Sequence, residues 1–282
     1  MSWDAPIPIA PRRIPVRPSP VFLGLVALMV AAGVYLWTRP NQVATSIRIG
    51  MFVFVAVGWI VSLCLHEFNH AAMAWYAGDT TVEAKGYLTL DPRRYMNRQL
   101  SIVLPIIMVL IGGIGLPGGA VMIDRRLTPS KWRRAMVSAA GPLTNLTLAI
   151  ACSLPLALHW VGGRSGAFPA SVDLWAFHRH AAFASALAFL ALLQFAVTVI
   201  NSLPIPGLDG FGVIAPFLPE ETVRSAMPIA NYAFLGLFLI LIYSAKANNA
   251  FFTFCFNQLA HLGVPRSLAE QGQVLFTFWR KV

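Results

Sequence analysis

Two histidines four residues apart with a glutamate between them, His66-Glu67-Phe68-Asn69-His70, are the part of this chain best equipped for chemistry. Residues i and i+4 share one face of a helix, so His66 and His70 can offer both imidazoles to a single metal ion. Glu67 stands one step round the same turn, where a carboxylate can take a proton from a nearby water and return it. The pentapeptide continues an apolar run that begins at Ile49. An unpaired ionisable group in such a run costs on the order of 2.5 to 3.5 kcal/mol on insertion scales, so its presence calls for a functional reason.

A catalytic zinc site generally has three protein ligands and a fourth position open to water. A third histidine six residues after the second, the metzincin arrangement, is excluded: position 76 is Tyr, and position 73 is Met where that pattern needs Gly. Two carboxylates are then the candidates, Glu83 in a polar loop and Asp209 in Asn201-Ser-Leu-Pro204-Ile-Pro206-Gly207-Leu208-Asp209-Gly210. The two prolines and the glycine unwind the helix before Asp209 and expose backbone groups, which membrane depth tolerates only where they line a wet cavity. Asp209 is therefore favoured over Glu83. An ordinary Asp-Gly turn at a helix end is the competing explanation.

The elements that must hold these groups are membrane helices. Of the 282 residues, 57% are hydrophobic and only 11% charged, and the mean hydropathy is +0.66. A soluble domain of this length carries about twice that charged fraction. Uncharged stretches cover 21–38, 49–65, 100–123, 135–163, 181–208 and 225–245. Roughly 20 residues cross a hydrocarbon core of about 30 Å, so the expected fold is an all-α multi-pass membrane protein, a bundle of about five to six transmembrane helices. The net charge of +10 does not indicate nucleic acid, because the 21 Lys and Arg lie almost wholly between the apolar runs. Basic loops of that kind fix orientation in a lipid bilayer. Cys64, Cys152 and Cys255 lack CxxC spacing and read as small buried hydrophobes.

Three ordered segments, the HExxH of residues 66–70, Ala140-Gly141-Pro142-Leu-Thr-Asn145 and Asn201…Asp209-Gly210, together resemble the site-2 protease family of intramembrane zinc metalloproteases. The resemblance covers roughly residues 49–217. It implies one Zn2+ held by His66, His70 and Asp209, Glu67 as the catalytic acid/base, and Asn145 and Asn201 as candidates for holding the substrate strand or the oxyanion. It also implies a transmembrane protein substrate. The chain departs from the family pattern at Ser202, where Pro often follows Asn, and at Phe211, where a second Gly is usual.

Topology supplies a consistency test. The first 20 residues hold six prolines and Arg12, Arg13 and Arg17, which suits an extended cytoplasmic tail before an uncleaved first helix. The second helix then returns and leaves His66 and His70 near the cytoplasmic end. For Asp209 to meet them, only one net crossing can separate Gly78 from Ala181. The Gly- and Pro-rich stretch 100–123 is accordingly expected to re-enter or be irregular. Residues 80–90 could form a short β-hairpin and 120–123 another strand, an edge for an extended substrate. The domains expected are the tail, 1–20, a membrane-embedded body, 21–245, and an interfacial or membrane-associated segment, 246–282.

Overall fold

The computed structural model describes residues 13–39, 44–95, 128, 130–161, 180–277 and 279. Among them the chain is helical, without a strand. The helices are α1 (Pro20–Thr38), α2 (Thr45–Ala77), α3 (Thr81–Ala84), α4 (Pro92–Tyr95), α5 (Lys131–Ala157), α6 (Ala181–Asn201), α7 (Asp209–Ile214), α8 (Glu220–Ala226), α9 (Ala230–Tyr243), α10 (Ala245–His261) and α11 (Arg266–Phe276). Five described segments are long and apolar enough to cross a membrane: α1, α2, α5, α6 and the span Glu220–Tyr243 that joins α8 to α9.

Local sequence sets the helix ends. Ser19 caps α1 by accepting from the Phe22 N–H at 3.1 Å, with Pro20 in the first turn, where its missing N–H costs nothing. The 33 residues of α2 make a rod about 50 Å long, enough to carry its last turns past the hydrocarbon. Gly78 ends it at φ 116°, a left-handed conformation that glycine adopts without a Cβ penalty.

Packing fixes the directions. Phe22 joins a cluster with Val57 and Val61, while Gly33 abuts Phe54 and Gly50 abuts Tyr35, so α1 and α2 run antiparallel. Helix α6 starts at the far end of α1, where His180 stacks on Trp37 at 3.7 Å between ring centroids, and so it runs parallel to α2. Alanines at 181, 182, 184, 186, 188, 191 and 196 are buried along α6. Without a hydrophobic force between helices in lipid, such small residues let neighbours approach closely, and α6 becomes the centre of the main core. Antiparallel to both is α5, the one membrane-length helix described between Gly78 and Ala181. Among the described residues of that interval α5 is the one helix of crossing length, and both α2 and α6 deliver their carboxyl ends to the same end of the bundle.

Residues 80–90 correct the expected hairpin. Lys85 N–H donates to the Thr81 carbonyl and Gly86 N–H to that of Glu83, local bonds that close helical turns. Gly86 and Leu90 have φ of 75° and 56°, which bend the chain out of an extended path. Val82 and Leu88 turn inward against Ala71, Ala74 and Trp75 of α2. Two carbonyls that a strand partner would have used accept instead from the residues before α1: Ser19 N–H bonds Thr89 at 2.8 Å and Arg17 N–H bonds Leu88 at 3.4 Å. The expectations for 100–123 and 120–123 lie outside the described residues.

The last helix packs into the bundle. Leu268, Ala269, Gly272, Leu275 and Phe276 of α11 are buried against α6 and α2. A Cβ on Gly272 would lie 2.6 Å from the Phe189 Cβ and closer still to the Ser185 carbonyl. Gly272→Ala should therefore cost about 1–3 kcal/mol, the usual penalty of overpacking. Gly24→Ala, whose Cβ meets nothing within 4 Å, should be neutral or stabilising. Thermal unfolding of the two variants in detergent checks the contrast.

Candidate metal centre

His66, Glu67 and His70 are 5%, 3% and 6% exposed, on the α2 face that meets α5 and α6. The His66 Nε2 and His70 Nε2 atoms lie 3.1 Å apart. Asp209 closes a triangle with them, its Oδ2 3.3 Å from His66 Nε2 and its Oδ1 3.3 Å from His70 Nε2. Among the described residues this is the one group of three or more His, Cys, Asp or Glu side chains close enough to share an ion. Glu83 is exposed on α3 and outside the group, and His180 lies at the opposite end of α6.

The outer ring nitrogens say which tautomers are present. His70 Nδ1–H donates to the Val137 carbonyl at 2.7 Å, and His66 Nδ1–H donates to Asn145 Oδ1. A carbonyl oxygen can only accept, so each neutral imidazole turns an Nε2 lone pair inward. Three acceptors then face one another across 3.1–3.3 Å, an arrangement that repels unless a cation stands among them. Tetrahedral zinc with ligand bonds of about 2.0–2.1 Å needs ligand atoms about 3.3 Å apart. The donor set and its spacing fit that ion.

Asp209 reaches the histidines because the chain after α6 is not helical. Gly207 has φ 97° and a Cβ there would fall 3.2 Å from the Ala230 carbonyl, so the turn needs glycine twice over. Leu208 is extended, and Asp209 opens α7. A Cβ on Gly210 would press on the Ser202 and Leu203 carbonyls, which explains the Asp-Gly pair. Ser202 retains an N–H that donates to the Thr198 carbonyl at 3.0 Å, so α6 keeps one more bond than an Asn-Pro sequence would allow. Phe211, in place of a glycine, is buried. Asn201 is 2% exposed, and its Nδ2 has no hydrogen-bond partner among the described residues.

Sequence reasoning named Asn145 for the substrate strand or the oxyanion and missed Gln194 and Ser62 behind it. Asn145 bridges helices, accepting from His66 and donating through Nδ2 to Gln194 Oε1 at 2.7 Å. Gln194 Nε2 in turn donates to Ser62 Oγ at 2.8 Å. The signal was present: Gln194 is the one amide within the run 181–200, and an amide in such a helix needs a partner. The role of Gly141 was hidden too, because no spacing rule states it. A Cβ there would fall 2.5 Å from His66 Nε2 and nearer still to His70 Nε2, so only glycine lets α5 close over the imidazoles. Pro142 follows it in the turn whose Val137 carbonyl holds His70. Gly141→Ala should fold yet displace both rings, lowering zinc affinity at least about 10-fold, as loss of ligand orientation does; titration against a chromophoric chelator reads the change.

Comparison with known proteins agrees with this geometry. No family model matches the chain, and no solved structure matches it. The chain is 42% identical over 268 residues to a protein of Mycobacterium tuberculosis provisionally named zinc metalloprotease Rip2, covering 95% of this chain and 96% of that one. To the Rip2 of Mycolicibacterium smegmatis it is 40% identical over 273 residues, 96% of this chain and 98% of the other. A Bacillus subtilis protein, YwhC, provisionally named a zinc metalloprotease, is 29% identical over 195 residues, 68% of this chain and 81% of its own length. Near-complete coverage at that identity, on a bundle of membrane-length helices with a group suited to a metal, places the chain in the site-2 protease-like family of zinc metalloproteases.

Proposed function

We propose that this enzyme hydrolyses a peptide bond in or near a transmembrane segment of another membrane protein, with His66, His70 and Asp209 as its zinc ligands and Glu67 as its acid/base. The supporting observation is the inward convergence of two imidazole lone pairs and a carboxylate at 3.1–3.3 Å within a membrane-helix bundle. Zinc, when bound, supplies a Lewis acid that polarises the scissile carbonyl and can bring the pKa of water from about 15.7 to near 7. Glu67, buried beside His66 on α2, removes a proton from the attacking water and delivers it to the leaving amine.

The chain's other residues then have distinct work. Asn145 holds the His66 ring through Oδ1 and is a positioning residue. Asn201, with a buried amide nitrogen to spare, is the better candidate for the substrate strand or the developing oxyanion. A transmembrane substrate keeps its carbonyls in helical bonds, so cleavage requires an unwound stretch beside a non-helical wall. Pro204, Pro206 and Gly207 form such a stretch next to Asp209.

Charge favours a cytoplasmic centre. Lys85, Arg93 and Arg94 follow the carboxyl end of α2, and Lys131, Arg133 and Arg134 open α5, so these exposed or half-buried cations gather at the His70 end. Basic residues at one end of the helices mark the cytoplasmic side. The division that accompanies this reading is a proline-rich cytoplasmic tail, 1–20, a membrane-embedded metalloprotease body, 21–245, and an interfacial or membrane-associated segment, 246–282.

A scaffold or transporter that binds zinc without hydrolysis is the reading to separate. Glu67→Gln should retain one zinc per chain and lose cleavage of a model transmembrane substrate by at least about 100-fold; unchanged cleavage would remove Glu67 from the mechanism. Asp209→Ala should lose tight zinc, whereas Glu83→Ala should bind zinc as the unmodified chain does, both measured by metal analysis after exhaustive dialysis.

A further inference from the structure

We propose that Ser62 and Gln194 are positioning residues that fix the metal-binding tautomer of His66 through Asn145. The inference rests on the reading of His66 as a ligand and extends it to two side chains that no motif marks.

The relay has one possible direction. Ser62 Oγ–H donates to the Trp59 carbonyl at 2.7 Å, and a carbonyl cannot return the favour. With its hydrogen committed there, the Ser62 oxygen faces Gln194 as an acceptor, so Gln194 must present its Nε2–H, at 2.8 Å. That choice turns Gln194 Oε1 toward Asn145, which must present its Nδ2–H, at 2.7 Å. Asn145 Oδ1 is then the atom left for His66, whose Nδ1 must carry the hydrogen. The Nε2 lone pair is thereby reserved for the face shared with His70 and Asp209.

Burial gives the relay its force. Ser62, Asn145 and Gln194 are 5%, 3% and 1% exposed, so exchange with bulk water cannot readily replace a broken link. Reversing the two amides would set an Asn145 N–H against His66 Nδ1 and demand the opposite tautomer, with a hydrogen on Nε2 directed at the metal face. His70 needs no such chain, because the Val137 carbonyl fixes its tautomer directly. The same relay ties α2, α5 and α6 together at the depth of the centre.

The test is zinc affinity of the full-length protein in detergent, by competition with a chromophoric chelator, with thermal unfolding of the zinc-free forms as a check on folding. Ser62→Ala and Gln194→Met should bind zinc about 10- to 100-fold more weakly than the unmodified chain, the range that loss of an orienting partner produces. Ser62→Thr, which keeps the hydroxyl, should restore near-normal affinity. Should Gln194→Met fail to fold, the Ser62→Ala and Ser62→Thr pair decides. Normal affinity in Ser62→Ala, or an equal loss in Ser62→Thr, overturns the relay while leaving the metal centre intact. An unmodified chain that takes up no zinc overturns the metal reading itself, and the relay with it.

Discussion

Three electron-rich side chains directed at one another inside a bundle of membrane-length helices are the constraint to which the rest of the chain answers. Two imidazole nitrogens and a carboxylate repel at 3.1–3.3 Å unless a cation joins them. Holding them there requires fixed tautomers, close helix approach and an interrupted helix, and each requirement has its residues. Val137 and Asn145 fix the rings, Gly141 permits the approach, and Pro204 to Gly207 deliver Asp209.

The helix directions follow from the same need. Two helices that run parallel, α2 and α6, must bring their carboxyl ends together, and an antiparallel α5 between them supplies the second face of the site. Alanine along α6 and glycine at 141 replace bulk where the backbones meet, which is how membrane helices gain packing without a solvent-driven force. Helix α11 closes the bundle from the other side, with Gly272 set against the Ser185 carbonyl.

Much of this could be read in the sequence because membrane physics leaves few choices. Apolar runs near 20 residues become helices, and an HExxH in one of them is costly enough to signal chemistry. Requiring Asp209 to share the histidines' end made α2 and α6 parallel, the arrangement their packing shows. What escaped prediction depends on three-dimensional neighbours. The 80–90 stretch alternates loosely like a strand, yet Val82 and Leu88 find a hydrophobic surface on α2 and the residues before α1 take up its carbonyls. The partners of Gln194 lie 49 and 132 residues away in sequence, so no local pattern could name them. A Cβ clash such as the one that explains Gly141 exists only once two helices have met.

Zinc K-edge X-ray absorption on the metal-loaded protein tests the central claim most directly. The account predicts a first shell of nitrogen and oxygen at about 2.0–2.1 Å, with outer-shell scattering from two imidazoles and none from sulfur at about 2.3 Å. A sulfur ligand, or an imidazole count other than two, would contradict it.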